Sequence, residues 1–436
     1  MATGERNVRF QRVKGTRDVL PREGFARQEL QELVSRYFLK AGILPILTPT
    51  FESCELYERS TGQSSDIVTK EMYHFKDMAQ RELALRPEGT PSVIRAVLEN
   101  NLKLPIRLWY MMPMFRQDKP QKGRYREHTQ IGVEILGEAE SGVDVELIKL
   151  GYDLFSNIGI AGLYLELNSI GCRECRPGYT STLVAFLEKH KEDLCDDCKL
   201  RMTRNPLRVF DCKLQRCQNI LKDAPSQSQY LCEECSAHFS GVKRGLGTFS
   251  IPYTENARLV RGLDYYSRTV IEFKSTTLGA QDTVCGGGRY DYLMEEMGGQ
   301  PAPGIGFAFG VERALLASKG ESILEFPGYA IPLLLLPLGE RGASFGLELA
   351  FRLREKGIHV QLEYREAGLS KLLKRASARN ARYVLIIGDD EIAKGRFILR
   401  NMTTSEQKEV SADDLYKIPE LMSPAVLLTS GDNSIT

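Results

Sequence analysis

The sequence predicts an α+β protein with three parts: a core of helices and strands, a cysteine-rich insertion in that core, and a smaller α/β domain at the carboxyl end. The chain has 436 residues, which is enough for about three domains of roughly 150 residues each. Eight of its ten cysteines lie between Cys172 and Cys235. Beyond about residue 327, apolar strands alternate with amphipathic helices, which is typical of a small parallel sheet.

The core is expected to begin with a helix and to contain a long-looped hairpin. Apolar side chains recur every three or four residues over 22–40, which predicts an amphipathic helix that ends at Gly42. Two apolar stretches, 108–115 and 131–136, flank a polar segment with five cations, which indicates two strands joined by a long loop. Residues 163–168 alternate apolar and polar side chains, so the insertion follows a strand.

In the carboxyl-terminal region the pattern predicts strands at 331–336, 358–364 and 383–387, and helices at 344–356 and 369–380. Between residues 352 and 400 there are twelve basic and six acidic side chains. Four of the cations, Lys371, Lys374, Arg375 and Arg379, follow one another along the second helix. Both a solvated surface helix and a phosphate-binding surface fit this excess of positive charge.

Composition excludes several classes of protein. With 42% hydrophobic and 26% charged residues, the chain is typical of globular proteins. Its apolar runs are far shorter than the roughly 20 residues of a membrane helix, and its polar first residues resemble no signal peptide. We therefore expect a cytoplasmic protein with no membrane contact. The formal net charge of +1 argues neither for nor against nucleic acid.

Several polar side chains near the predicted hairpin could bind one ligand together. Gln130 and Glu134 share a face of the returning strand, and Arg116 follows the end of the first strand. A short turn that contains proline and glycine would aim Glu88 and Thr90 at a common point. Carboxylates, an amide and a guanidinium at one place can hold an amino group and an anion at the same time.

A second unusual segment is 259–266, where Arg261 and Asp264 interrupt an apolar and aromatic run. Buried charges persist only when they are paired or used. The sequence leaves open whether these two residues form an internal ion pair or serve a ligand. The glycine clusters at 286–290 and 304–310 allow a planar ligand to approach the backbone, but they fit neither a dinucleotide-binding fingerprint nor a P-loop.

The insertion carries four closely spaced cysteine pairs: Cys172 and Cys175, Cys195 and Cys198, Cys212 and Cys217, Cys232 and Cys235. Repeated Cys-x-x-Cys pairs in a chain without an export signal favour zinc, because thiolates at this spacing chelate a tetrahedral ion. Eight thiols could form two four-sulfur sites. Metal-free structural thiols are the alternative, and His238 is expected to be a surface or core residue rather than a ligand.

In their order along the chain, these motifs resemble those of the class II aminoacyl-tRNA synthetases and, among them, the histidyl-tRNA synthetase family. Residues 41–52 are similar to motif 1, 115–134 to motif 2 and 304–313 to motif 3, while 259–266 and 286–290 resemble the two histidine-specific peptides. The resemblance extends from about residue 8 to 425. It implies an antiparallel sheet flanked by helices in a catalytic core at 1–170 and 249–327, a Cys-rich insertion at 171–248, and an anticodon-binding α/β domain at 328–436.

The implied function is ATP-dependent charging of tRNA(His) with L-histidine through a histidyl-adenylate, by a homodimer that uses Mg²⁺. By resemblance, Arg116 and Arg261 would contact the α-phosphate of ATP and Arg313 the γ-phosphate, and guanidinium suits this role because it grips oxygens in pairs. The histidine site would consist of Glu88, Gly89, Thr90, Gln130, Glu134, Tyr265, Tyr266 and Tyr290. The acceptor end of tRNA would meet Lys119, Gln121, Lys122 and Arg124.

The resemblance leaves some questions open. Similar cysteines in the family's insertion domain need not hold zinc. Lys119 and His128 replace the arginine and the aromatic residue that the family commonly has, and lysine cannot form the paired hydrogen bonds that arginine makes with the edge of a guanine.

The alternative function is a catalytically silent, synthetase-like regulatory subunit of ATP phosphoribosyltransferase. Such paralogues lack the tRNA-facing module and the intact histidine peptides, whereas this chain has Arg261, Tyr265 and Tyr266. A purely zinc-dependent RNA-binding protein would not explain the carboxylates near the hairpin.

Overall fold

The structure is a computed structural model, and it describes residues 10–62, 65, 67–119, 123–279, 282–318, 331–418 and 422. Contacts between residues divide the chain into two compact units, Met1–Glu325 and Phe326–Thr436. Among the described residues, we find no helix that is long and apolar enough to span a membrane. The domain boundary predicted near 325–330 falls outside the described residues, so the domain limits stay a prediction.

The first unit combines eleven described strands with ten described α-helices. The strands are β1 (Leu44–Pro45), β2 (Phe51–Ser53), β3 (Tyr73–Lys76), β4 (Glu82–Leu85), β5 (Ile106–Phe115), β6 (Glu127–Leu136), β7 (Leu163–Ser169), β8 (Tyr253–Glu255), β9 (Ser267–Ser275), β10 (Thr283–Arg289) and β11 (Gly304–Gly310). The helices are α1 (Pro21–Lys40), α2 (Cys54–Thr61), α3 (Thr90–Glu99), α4 (Ser141–Asn157), α5 (Arg176–Lys189), α6 (Asp196–Arg204), α7 (Gln215–Leu221), α8 (Glu233–Thr248), α9 (Leu293–Glu296) and α10 (Val311–Ala317).

The core of this unit is an eight-stranded sheet in the order β1-β5-β6-β11-β10-β9-β7-β8. The inner pairs are antiparallel, and only the outermost pairs, β1 with β5 and β7 with β8, are parallel. The expected antiparallel sheet flanked by helices is therefore confirmed. The predicted hairpin is β5 and β6, paired from Ile106 and Leu136 to Phe115 and Glu127. A smaller sheet has the order β2-β4-β3.

Helices cover one face of the large sheet because their apolar stripes match its alternating side chains. Leu30, Val34 and Phe38 of α1 pack with Ile131 and Val133 of β6 in one buried cluster, as the helical spacing predicted. The same cluster includes residues of α4 and α8. The opposite face of the sheet carries a second buried cluster that is rich in tyrosine. The two faces thus have different chemistry.

The cysteine-rich insertion lies between β7 and β8 and consists of α5 to α8 with 3₁₀ turns at Lys191–Asp193, Pro206–Asp211 and Gln227–Tyr230. Its last helix, α8, returns to the core and packs along α4. A buried ion network fixes this contact: Asp144 accepts from Arg289 at 2.8 Å and lies 3.0 Å from His238. His238 is thus a core residue, as expected.

The second unit is a five-stranded sheet in the order β13-β12-β14-β15-β16. Its elements are β12 (Ile331–Pro337), α11 (Gly339–Glu355), β13 (Val360–Leu362), α12 (Leu369–Ala378), β14 (Ala381–Ile387), α13 (Asp389–Lys394), β15 (Arg396–Asn401), β16 (Gln407–Ser411) and a 3₁₀ turn at Ala412–Lys417. Strand β12 is parallel to β13 and β14, as predicted. The antiparallel strands β15 and β16 were not predicted.

Asp144→Ala should destabilise the first unit by about 3–5 kcal/mol, because it removes the carboxylate at the Nε of the fully buried Arg289 and leaves Asp291 as the remaining carboxylate partner of that guanidinium. Asp153→Ala, on the same helix, removes only a part-exposed ion pair with Lys149 and should cost less than about 1 kcal/mol. Denaturant unfolding measures both free energies. Equal effects of the two substitutions would contradict the structural role of Asp144.

Candidate active site

The candidate site lies on the tyrosine-rich face of the large sheet. On β6, Ile131 and Val133 face the helices, so Gln130 and Glu134 point to the opposite side, as the alternation predicted. The cluster on that side includes Tyr110, Tyr265, Tyr266 and Tyr290. The structure therefore brings together residues of the hairpin, residues of the peptide 259–266, and Tyr290, which directly follows β10.

Glu134 lies within this cluster and is 1% exposed. Its Oε1 accepts hydrogen bonds from Thr90 at 2.7 Å and from the Tyr110 hydroxyl at 3.4 Å, and its Oε2 accepts one from Tyr290. Burial raises the pKa of Glu134 to about 8, although these hydroxyl donors oppose the shift. The carboxyl group therefore keeps its proton near neutral pH unless a ligand stabilises the charged form.

Glu88 supplies a second buried carboxylate on the turn that precedes α3. Its Oε2 accepts from the Tyr265 hydroxyl at 2.7 Å, while its Oε1 is buried and has no hydrogen-bond partner among the described residues. Burial raises the pKa of Glu88 as well. Gln130 has a similarly unpartnered Oε1. Because buried acceptors without donors are rare in native proteins, these two oxygens indicate a ligand with donor groups.

Two glycines make room for a tyrosine that the sequence did not single out. An added Cβ at Gly89 or at Gly132 would overlap the ring of Tyr110. Tyr110 pairs with Gly132 in register on β5 and β6, so its ring crosses the hairpin toward Glu134. The structure thus places Gly89 at the site as the residue that admits this ring.

Two of the arginines expected to bind phosphate, Arg116 and Arg313, are part-buried. The Nε of Arg116 donates to the carbonyl oxygen of Pro87 at 2.8 Å, which links the loop of the hairpin to the Glu88 turn. Arg313 is the third residue of α10, and burial together with the positive charge of Arg124 lowers its pKa. An anion that binds near these cations would relieve this repulsion.

Arg261 does not form the ion pair with Asp264 that the sequence left open. It pairs instead with Glu272 of β9, and Asp264 accepts from Asn205 of the insertion at 2.7 Å. Burial lowers the pKa of Arg261, but Glu272 and the other acidic groups nearby together outweigh this effect, and the net shift of the pKa is upward. A side chain at Gly286 would overlap the guanidinium. Arg261 is therefore held in place as a permanent cation.

The loop of the hairpin carries the residues expected to face tRNA. Lys119 is exposed, and Arg124 donates to Asp118 at 2.6 Å. Gln121 and Lys122 lie outside the described residues. His128, on β6, has its pKa lowered to about 3 by burial and by the nearby charge of Arg116, so this ring is neutral in the physiological range.

The eight cysteines of the insertion form two groups. We call Cys172, Cys175, Cys232 and Cys235 the first thiol cluster, and Cys195, Cys198, Cys212 and Cys217 the second thiol cluster. Within each cluster the sulfur atoms lie within 4.8 Å of one another. The Cys172 sulfur is 3.5 Å from that of Cys175 and 3.9 Å from that of Cys232, and the sulfurs of Cys195 and Cys212 are 3.8 Å apart. Four sulfurs at about 2.3 Å from a tetrahedral zinc would lie roughly 3.8 Å apart. Both clusters could therefore hold a metal ion.

The comparisons with known proteins identify the family. A model of this family, described as "Histidyl-tRNA synthetase", matches residues 15–314, and one described as "Anticodon binding domain" matches 333–418. The chain belongs to the histidyl-tRNA synthetase family. Proteins named histidine–tRNA ligase from Dehalococcoides mccartyi strain 195 and Desulfitobacterium hafniense DCB-2 are 42% and 44% identical to it. These alignments cover 93% and 94% of the chain, and 98% and 97% of the relatives.

Solved structures agree with this membership. The crystal structure of apo histidyl-tRNA synthetase from S. aureus matches with a TM-score of 0.78 and 31% identity, over 94% of this chain and 99% of that one. A Bacillus halodurans protein described as an ATP phosphoribosyltransferase regulatory subunit/histidyl-tRNA synthetase matches with a TM-score of 0.63 at 20% identity, over 87% and 98%. That second match supports the fold alone.

Some of the residues that shape the candidate site could not be predicted from the sequence. Tyr110 lay inside an apolar strand, and only its pairing with Gly132 could have singled it out. Glu272 of β9 is the partner of Arg261, and this contact depends on the tertiary fold rather than on a local pattern. Asn205 lies 59 residues from its partner Asp264 and carried no motif.

Glu134→Gln should make the stability of the ligand-free chain less dependent on pH. The pKa of glutamate in the unfolded chain is about 4.3, and the pKa of Glu134 in the folded chain is about 8. Between these pH values the folded state therefore binds one proton more than the unfolded state. The free energy of unfolding should therefore fall as pH rises through this window, and the loss should be complete above pH 8. At pH 8.5 the variant should be more stable than the wild type, and at pH 4 this advantage should vanish.

Thermal unfolding at a series of pH values measures this effect. Glu127→Gln, at an exposed position on the same strand, is the matched control. Parallel pH profiles for the wild type and Glu134→Gln would contradict the protonated carboxyl group.

Proposed function

We propose that this chain charges tRNA(His) with L-histidine at the expense of ATP, through a histidyl-adenylate. Membership of the histidyl-tRNA synthetase family, matches to both its catalytic and its anticodon-binding models, and relatives named histidine–tRNA ligase over nearly the full length support this function. The regulatory alternative has less support, because the Bacillus halodurans structure described as a regulatory subunit/histidyl-tRNA synthetase is only 20% identical to this chain. Since charging of tRNA serves translation, we propose the cytoplasm as its compartment.

The observation that carries the proposal is the pair of buried carboxyl groups on the tyrosine-rich face. The ammonium group of histidine would donate to the unpartnered oxygens of Glu88 and Gln130, next to Thr90. The imidazole would donate one ring N–H to Glu134 and accept at its other nitrogen from Tyr266, with Tyr265 and Tyr290 around it. An isosteric side chain without ring nitrogens would leave these polar groups unpaired.

Activation joins two anions, because the carboxylate of histidine attacks the α-phosphate of ATP and pyrophosphate leaves. Positioning and electrostatic stabilisation dominate such reactions. In our proposal Arg116 and Arg261 contact the α-phosphate from two sides, and Arg313 contacts the γ-phosphate. Mg²⁺, bound with ATP, would neutralise further phosphate charge. Arg261 is suited to this role because Glu272 and the backbone at Gly286 hold its guanidinium in place before the substrate arrives.

The second step is the transfer of histidine to tRNA. It needs cations that bind tRNA phosphates both near the acceptor end and near the anticodon. We propose that Lys119 and Arg124, with Gln121 and Lys122, meet the acceptor end. In the anticodon-binding unit Lys371 and Lys374 are exposed on α12 and are the proposed phosphate contacts. Arg375 and Arg379 instead bond within their own unit: Arg375 donates to the carbonyl of Arg365, and Arg379 to Glu363 and Gln361.

We propose a homodimer that forms along the β1 edge of the large sheet. Strand β1 is the outermost strand beyond β5, and exposed apolar side chains lie on it or close to it in the sequence: Leu39, Leu44, Leu47 and Phe51. An exposed apolar patch at a sheet edge is typical of a subunit interface. This segment corresponds to motif 1 of the family.

We also propose that each thiol cluster holds one Zn²⁺. Each would supply four thiolates in the spacing that a tetrahedral ion requires, and the metal would fix the fold of the insertion. Burial raises the pKa of Cys198 and of Cys235, which disfavours their charged forms. A bound cation would compensate for that cost.

Replacing Glu134 by Gln should weaken histidine binding by about tenfold to a hundredfold, because a hydrogen bond to a charged group is lost, and should leave ATP binding nearly unchanged. Isothermal titration of each substrate measures both affinities. Glu127→Gln controls for the loss of a carboxylate on β6. Equal losses for histidine and ATP would contradict the assigned role.

Arg261→Ala should lower histidine-dependent exchange of pyrophosphate into ATP by about 10²–10³-fold, because one preorganised cation at the phosphate is lost. Circular dichroism should show an intact fold. Arg258→Ala, an exposed arginine three residues earlier, should exchange at the wild-type rate. Unchanged turnover in Arg261→Ala would remove this residue from the mechanism.

Elemental analysis of the purified protein should find two zinc ions per chain. Cys198→Ser and Cys235→Ser should each retain one, because each breaks a different cluster. Cys54→Ser lies outside both clusters and should retain two. Less than one zinc per wild-type chain would show that the thiols are structural or reactive instead.

A further inference from the structure

The peptide 259–266 has no regular secondary structure, although it carries Arg261, Tyr265 and Tyr266 to the site. Its backbone at Leu259 is held by Asn168 at 3.0 Å. The rest of the segment does not belong to a sheet or a helix, so side-chain contacts must fix its conformation. Two of these contacts come from the cysteine-rich insertion.

The first contact is made by Asn205, whose Nδ2 donates to Asp264 Oδ1 at 2.7 Å. Asn205 lies at the junction where α6 ends and the 3₁₀ turn Pro206–Asp211 begins. The far ends of these two helical segments are Cys195 and Cys212, and their sulfurs are 3.8 Å apart. Asn205 is therefore the apex of a helical hairpin that the second thiol cluster closes.

The second contact is made by Arg176, which donates to the carbonyl oxygen of Tyr266. Arg176 is the first residue of α5 and directly follows Cys175 of the first thiol cluster. Its backbone N–H also bonds the carbonyl of Cys172 at 3.2 Å. The first thiol cluster thus fixes the backbone from which this guanidinium reaches the active-site peptide.

We propose that the two thiol clusters position the peptide 259–266 for histidine activation, the first through Arg176 and the second through Asn205. Both are positioning residues, since they act through Asp264 and the backbone of Tyr266. The inference rests on the proposed function and goes beyond it. The insertion is then part of the amino-acid site, and metal in its clusters controls how well that site is preorganised.

Asn205→Asp tests this role, because it replaces the amide donor by a carboxylate that repels the carboxylate of Asp264. The variant should raise the KM for histidine at least tenfold in pyrophosphate exchange, with the KM for ATP changed much less. The exchanged pair Asn205→Asp with Asp264→Asn restores a donor and an acceptor and should recover most of the affinity. Asn219→Asp, an exposed asparagine on α7 of the same insertion, should match the wild type.

Hydrogen–deuterium exchange supplies a readout that does not depend on turnover. Two variants are compared with the wild type: Asn205→Asp, and Cys212→Ser, which breaks the second thiol cluster. In both, the backbone amides of 259–266 should exchange faster than in the wild type, and the exchange rates of the amides in β10 should not change. The zinc content of Asn205→Asp should equal that of the wild type. This separates a lost contact from a lost metal ion.

Normal histidine kinetics in Asn205→Asp, no recovery in the exchanged pair, or unchanged deuterium uptake in 259–266 would each overturn the inference. The wild type itself tests the proposed function: if it shows no histidine-dependent exchange of pyrophosphate, that function fails. Failure of the positioning role alone would leave wild-type exchange intact.

Discussion

The cost of burying carboxyl groups governs this active site. Glu88 and Glu134 are 4% and 1% exposed among tyrosines, and their oxygens accept hydrogen bonds from the hydroxyl groups of Thr90, Tyr110, Tyr265 and Tyr290. Hydroxyls satisfy the oxygens only in part and do not neutralise charge, so burial raises the pKa of both groups. A ligand that carries a positive charge and ring N–H donors would satisfy these buried oxygens. We propose that selectivity follows from these unsatisfied acceptors.

The large sheet makes this arrangement possible by keeping its two faces apart. Alternating residues of β6 give one face to the helices and the other to Gln130 and Glu134. Glycines at positions that face the site leave space for the Tyr110 ring and for the Arg261 guanidinium. The phosphate-binding cations we propose lie on different segments, namely the end of β5, the peptide 259–266 and α10. The large sheet therefore positions the buried Glu134, and we propose that the cations on these segments complete the site.

Sequence patterns predicted the features that depend on local periodicity. The helix over 22–40, the long-looped hairpin and the shared face of Gln130 and Glu134 were confirmed, because burial on one face imposes a period that the sequence displays. The start of α11 at Gly339 was missed: the predicted helix began at 344, since the glycines and polar residues of its first turn hide the pattern. Strands β15 and β16 were missed because they are short and half exposed.

Features that depend on tertiary contacts could not be predicted from the sequence. The cysteine spacing allowed two four-sulfur sites but did not show which pairs combine, because that depends on how α5 and α8 meet. The partner of Arg261 was left open between Asp264 and a ligand, and the structure assigns Glu272, which only strand order could reveal. The roles of the individual site residues remain predictions, for which the geometry supplies physical reasons.

Exchange of labelled pyrophosphate into ATP, measured with each amino acid in turn, tests the central claim most directly. A pocket built around two buried carboxyl groups and four tyrosines should support exchange with histidine and with no other amino acid, including glutamine and phenylalanine. Exchange that is absent with histidine, or equally rapid with an amino acid that lacks the imidazole nitrogens, would contradict the account.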